Sequence, residues 1–158
     1  MKHMSIILSA FFLISSAYAD DSQSYLQGVV GFDAGAVNIG FDYESRSESE
    51  TAGYGGYFLF SGDSDSSLQV MSFGAMAKIH FFENRKFDLS FAPGLGISLV
   101  EVGGDDETTV GPIVKLGLLY KFSNKVAFGG EIFSAYNWLN DELPSGVEYF
   151  NFAVRIKM

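Results

Sequence analysis

His80, Asp88 and Ser90 have the residue types of a nucleophilic relay, and His80 is the only histidine beyond position 3. A Ser–His–acid relay needs a hydroxyl within hydrogen-bond reach of the imidazole and an acid orienting it. Alternation puts His80 beside a short turn, with Asp88 and Ser90 on the following strand, but no local motif joins the three. The expected role is a polar network, not catalysis. Metal chemistry has less to work with, because one histidine and no cysteine exclude the usual zinc sets. Asp63-Ser64-Asp65 and Asp105-Asp106-Glu107 offer the oxygens that calcium or magnesium accept. Acidic loop tips are more often simply solvated, so no metal and no other cofactor is expected. "GYGG" and "GLG" fall inside strand patterns, where glycine relieves crowding, and form no phosphate loop.

The elements that hold these residues begin after a targeting segment. "MKHMSIILSAFFLISSAYA" has a basic start, an apolar run and a small-x-small end at Ala17-Tyr18-Ala19. That is the layout of a secretory signal peptide, with residues 1–19 removed and a single domain over 20–158. Its apolar run is well short of the roughly 20 residues of a spanning helix. Removing Lys2 leaves nine basic residues against nineteen acidic, a net of −10. That charge argues against nucleic acid as a partner. The absence of cysteine excludes disulfides and a lipid anchor on a cleavage-site cysteine. Plentiful glycine, Phe and Tyr with little proline point to an all-β chain.

Period-two alternation marks five clear strands: 68–81, 87–101, 110–122, 126–138 and 148–158. Three less regular ones lie at 24–33, 37–45 and 52–60, giving eight in all. "ENRK" (83–86) and "SNK" (123–125) are short connections, whereas "SGDSDSS" (61–67), "GGDDETT" (103–109) and "NDELPSG" (140–146) are long and acidic. Short turns on one side and long polar loops on the other suit an up-and-down barrel crossing an outer membrane. The "AGA" turn and the "RSESET" link run against that alternation.

Which face looks inward follows from the polar positions. A water-facing side should be dense in Lys, Glu, Thr and Gln. Here it is mostly Gly, Ala and Ser, broken by Asp42, Lys78, His80, Asp88, Lys115, Lys121, Glu131 and Arg155. Small residues and potential ion pairs fit the crowded lumen of an eight-stranded barrel. The opposite face is rich in Leu, Ile and Phe, too much for one narrow interior. Aromatics flank the connections: Phe81 and Phe87, then Tyr120, Phe122 and Phe128, then Tyr136, Trp138 and Phe150, with Phe82 alone out of phase. These suit girdles at two membrane interfaces. A soluble lipocalin-like barrel is the competing reading. Arg155 should face inward toward Asp42 or Asp88, with Lys157 at the rim.

The chain thus resembles the small outer-membrane β-barrels of Gram-negative bacteria, of the OmpA/OmpX type. The carriers are the signal peptide, "FAPGLGISL" (91–99) and the alternating terminal strand Phe150, Phe152, Val154, Ile156, Met158. Pro93 lacks a donor, so a bulge is expected there. The resemblance implies that the last strand is an assembly signal read by the barrel-assembly machinery, with Met158 where the family usually has Phe. It implies an outer-membrane location, contact with membrane lipid and a monomer. The expected role is structural or surface interaction, with the lumen filled by side chains. A narrow ion-conducting pore is the alternative, followed by a lipid A-modifying barrel enzyme.

Overall fold

The computed structural model describes residues 22–33, 36–47, 51–63, 68–83, 86–102, 105–139, 143 and 145–158. Residues 1–21, which hold the expected signal peptide, lie outside that set. Eight strands follow in chain order: β1 Ser22–Asp33, β2 Ala36–Ser47, β3 Ala52–Asp63, β4 Leu68–Glu83, β5 Phe87–Val102, β6 Asp105–Lys121, β7 Val126–Tyr136 and β8 Gly146–Lys157. Each is antiparallel to its neighbours in sequence, and β8 pairs with β1 to close the sheet. Closure leaves no unpaired edge, the condition a sheet must meet to cross hydrocarbon.

The two faces decide the class. In β8, Tyr149, Asn151, Ala153 and Arg155 are buried, while Phe150, Phe152, Val154 and Ile156 are exposed. The same division runs around the barrel. Gln27, Asp42, Glu44, Lys78, Lys115 and Glu131 are buried, whereas Ile39, Phe41, Leu95, Leu118 and Ile132 face outward. A water-soluble barrel distributes these residue types the other way round. Charges inside and an apolar belt outside make this a transmembrane barrel.

Three local expectations are corrected. The contrast of short turns and long loops holds only between β7 and β8, where residues 137–145 separate the strands. β5 and β6 leave only residues 103 and 104 between them, and Val102 pairs with Asp105. Thus Asp105, Asp106 and Glu107 sit in a strand ladder opposite Val102, Glu101 and Val100, not at a loop tip. Strand pairing of β6 with β7 begins only at Ile113, so the β5–β6 hairpin runs on beyond the β7 ladder. The "RSESET" link likewise shrinks to residues 48–51, because Arg46 and Ser47 continue β2 opposite Gln23 and Ser22.

Pro93 makes no bulge. The β4–β5 register runs to Met76↔Gly94 and resumes unshifted at Ile79↔Phe91, so the ladder is interrupted locally around the missing donor. The bulge lies between His80 and Phe82 instead. It adds a residue to β4, so Phe81 and Phe82 both point outward and Glu83 turns toward the lumen opposite Asp88. Phe82 therefore joins the exposed aromatics.

Alongside the charged groups, the interior holds an aromatic and aliphatic layer. Tyr57, Ile113, Leu119 and Phe133 are almost fully buried. The Tyr57 ring packs 5.5 Å from Phe133, which stacks 6.2 Å from Tyr149. Tyr57 lies across Gly96, where an added Cβ would run into its hydroxyl. Gly96→Val is expected to destabilise the folded barrel by about 1–3 kcal/mol through overpacking. Urea unfolding in detergent measures this, and an unchanged midpoint would mean the ring can move aside.

Candidate functional site

The inward positions of β1, β2, β4, β5, β6, β7 and β8 bring ionisable groups from distant parts of the chain into one lumen network. Lys115 on β6 is its centre. Its Nζ lies 2.5 Å from Asp42 Oδ1 and 2.8 Å from Glu131 Oε1. Gln27 Nε2 donates to Glu131 at 2.6 Å and to Asp42 at 3.3 Å, and Lys78 donates to the Gln27 carbonyl at 3.2 Å. The Lys115 ammonium also sits 5.7 Å from the ring centres of both Tyr57 and Phe133. Cation–π contact there joins the ionic layer to the aromatic one.

A second cluster lies nearer the strand ends that carry the chain termini. His80 Nδ1 is 2.7 Å from Asp88 Oδ1, and Nε2 is 2.8 Å from Glu44 Oε1. Arg155 pairs with the other Asp88 oxygen, and Lys78 comes within 3.9 Å of Glu44. At the rim, Arg46 holds Glu83 with both guanidinium arms, at 2.8 and 3.1 Å, and Lys121 reaches the same carboxylate at 2.5 Å. Arg46 also donates to Tyr25 Oη at 3.3 Å.

The eight lumen residues read from sequence occupy these positions. Asp42, Lys78, His80, Asp88, Lys115, Glu131 and Arg155 are buried, and Lys121 is half-buried at the rim. Arg155 meets Asp88, while Asp42 belongs to Lys115. Gln27, Glu44, Arg46 and Glu83 were missed. Gln27 lies in β1, where the pattern is less regular. Glu44 and Arg46 continue the inward phase of Asp42 at steps of two, a signal the sequence did contain. Glu83 turns inward only because of the bulge. With these additions the network balances five acids (Asp42, Glu44, Glu83, Asp88, Glu131) against five bases (Arg46, Lys78, Lys115, Lys121, Arg155), with His80 between two carboxylates.

The geometry bears directly on chemistry. Ser90 stands opposite His80 in the ladder. Both imidazole nitrogens nevertheless face carboxylates, so neither faces the serine hydroxyl as a relay requires. His80, Glu83 and Asp88 bring three potential metal-ligand atoms within 4.8 Å of one another. Those carboxylates already hold cations: Arg155 on Asp88, and Arg46 and Lys121 on Glu83. A metal ion would have to displace them. Of the acidic tips, Asp105 and Asp106 are exposed at the β6 end, and Ser64 and Asp65 lie outside the described residues.

No protein-family model matches the chain, and no curated protein matches it in sequence. Solved structures do match in fold. The N-terminal β-barrel domain of Pseudomonas aeruginosa OprF superposes with a TM-score of 0.69 at 12% identity, covering 89% of this chain and all of that one (100%). Neisserial surface protein A gives 0.64 at 15% identity over 87% of this chain and 96% of that one. The outer membrane enzyme PagL gives 0.54 at 16% identity over 87% and 99%. The fold is that of the small outer-membrane barrels. It accommodates a surface protein and an enzyme alike, so the role of this chain rests on its own lumen.

Proposed function

We propose that this protein is a monomeric outer-membrane barrel, exported through the removal of residues 1–19, with a structural or surface-interaction role and no catalysis. The supporting observation is the filled lumen. Among the described residues, five acids and five bases joined by seven ion pairs, with a fully buried Tyr57–Phe133 contact, occupy the space through which a solute would pass. Eight strands enclose an interior only wide enough for side chains. The apolar outer belt meets membrane lipid, and Phe150, Phe152, Val154, Ile156 and Met158 form the outward face that the assembly machinery reads.

The test combines location with conductance. The unboiled protein should sit in the outer-membrane fraction and change gel mobility on heating, and the purified barrel should show no steady conductance in a planar bilayer. A soluble periplasmic protein would end the membrane reading, and a stable open channel would end the filled-lumen reading in favour of a narrow ion pore. Lipid A modification is tested separately: its mass should be the same with and without the protein expressed, and the same again for His80→Ala.

A further inference from the structure

The mouth of the barrel at which the first and last strands end gathers cations from four segments of the chain. A cavity of about 750 Å³ opens there, and among the described residues the charged groups lining it are Arg46, Lys121, Lys125, Arg155, Lys157 and one carboxylate, Glu83. Among the described residues five cations meet one acid in the cavity lining, with Asp88 and Glu44 paired to Arg155 and Arg46 outside that lining, in a chain whose net charge is −9. Three of these cations are paired, and part of the positive charge is uncommitted. Glu83 is shared between Arg46 and Lys121. Arg155 uses Nη2 on Asp88, while its Nη1 is buried without a hydrogen-bond partner. Among the described residues no ion pair engages Lys125 or Lys157.

We infer that this mouth binds a small phosphate-bearing anion. Arg155 is held in place by Asp88 and by the Tyr25 ring, 5.3 Å from its guanidinium carbon. Arg155 lines the cavity with its buried Nη1 unpartnered, so an anion reaches that donor by displacing the groups that cover it, and the lysines add mobile point charges at the mouth. Fixed guanidinium donors with lysines suit a tetrahedral, multiply charged oxyanion. The volume falls within the range of about 300–1,000 Å³ typical of small-molecule sites. Glu83 is the built-in brake, since it neutralises two of the five cations and stands where a phosphate would compete for them.

The probe is pyrophosphate, titrated calorimetrically into folded residues 20–158 in a non-ionic detergent. Saturable binding with one site per barrel is expected. Lys125→Ala combined with Lys157→Ala should weaken it at least tenfold, and Glu83→Gln should tighten it severalfold. Opposite shifts from two rim substitutions cannot come from a general loss of folding. Absence of saturable binding, or the same affinity in both variants and the parent, overturns the proposal. Repeating the titration in nanodiscs identifies the natural source. Weaker pyrophosphate binding with phosphatidylglycerol than with phosphatidylcholine supports the site and shows a lipid headgroup entering it. Equal binding in the two supports the site for a soluble phosphate ester.

Discussion

Lys115→Met is expected to lower the unfolding free energy by about 3–5 kcal/mol, the cost of breaking a buried ion pair from one side. The ammonium stands between Asp42 and Glu131, with oxygens at 2.5 and 2.8 Å, in a part of the lumen where all three side chains are buried. Methionine matches the length of the lysine stem but leaves both carboxylates facing each other across Gln27, which can donate but cannot neutralise. Lys78 reaches Gln27 and Glu44, and no ion pair takes it to Asp42 or Glu131. Urea titration of the refolded barrel, followed by the heat-dependent gel shift, measures the loss. The triple variant Lys115→Met, Asp42→Asn, Glu131→Gln should recover most of it, because the cost lies in the stranded charges and not in the shape. A single variant within about 1 kcal/mol of the parent would mean that water already solvates this layer, since exposed pairs contribute only about that much.

Phe133→Ala should cost about 3–5 kcal/mol, the range for removing a fully buried aromatic side chain. Phe133 is 0% exposed and packs between Tyr57 and Tyr149, and its ring also faces the Lys115 ammonium. Truncation removes the central member of the aromatic layer and one wall of the cation's surroundings together. Neighbouring strands are fixed by the closed ladder, so the barrel cannot collapse into the gap as a helical core might. Phe133→Leu, which keeps much of the volume, should lose clearly less. Equal losses for the two variants would show that Phe133 acts through something other than the space it fills.

Much of this architecture is legible in the sequence. Strand number, the inward phase of Asp42, Lys78, Asp88, Lys115, Glu131 and Arg155, and the outward phase of the last strand all follow from period-two alternation. A β-strand turns successive side chains to opposite faces, so one residue of known direction fixes its neighbours. Glu44 lay within the expected strand 37–45 on the inward phase of Asp42, and Arg46 needed only that β2 be carried to Ser47. Glu83 was not. A bulge adds one residue and reverses the phase beyond it, and whether Phe81 or Phe82 absorbs it depends on how β4 meets β5. Pro93 is the converse case: its missing donor suggested a bulge, but the ladder skips past it without shifting register. The loops misled for a related reason, since Asp105–Glu107 has turn-forming acids whose backbone nevertheless pairs with β5.

The sequence by itself determined a face of small and charged residues and a face of large apolar ones, and with them the class of protein. That information is local, carried by each strand's own alternation. Which charge meets which was decided only by the tertiary structure. Lys115 and Asp42 are joined by the stagger of strands around a closed sheet, as are His80 with Glu44 and Arg155 with Asp88. Stagger is a property of the whole circuit, fixed when β8 finds its register on β1, and no single strand encodes it. The basic mouth belongs to that level as well. Arg46, Lys121, Lys125, Arg155 and Lys157 come from β2, β6, the turn after it and β8, and only closure sets them around one cavity.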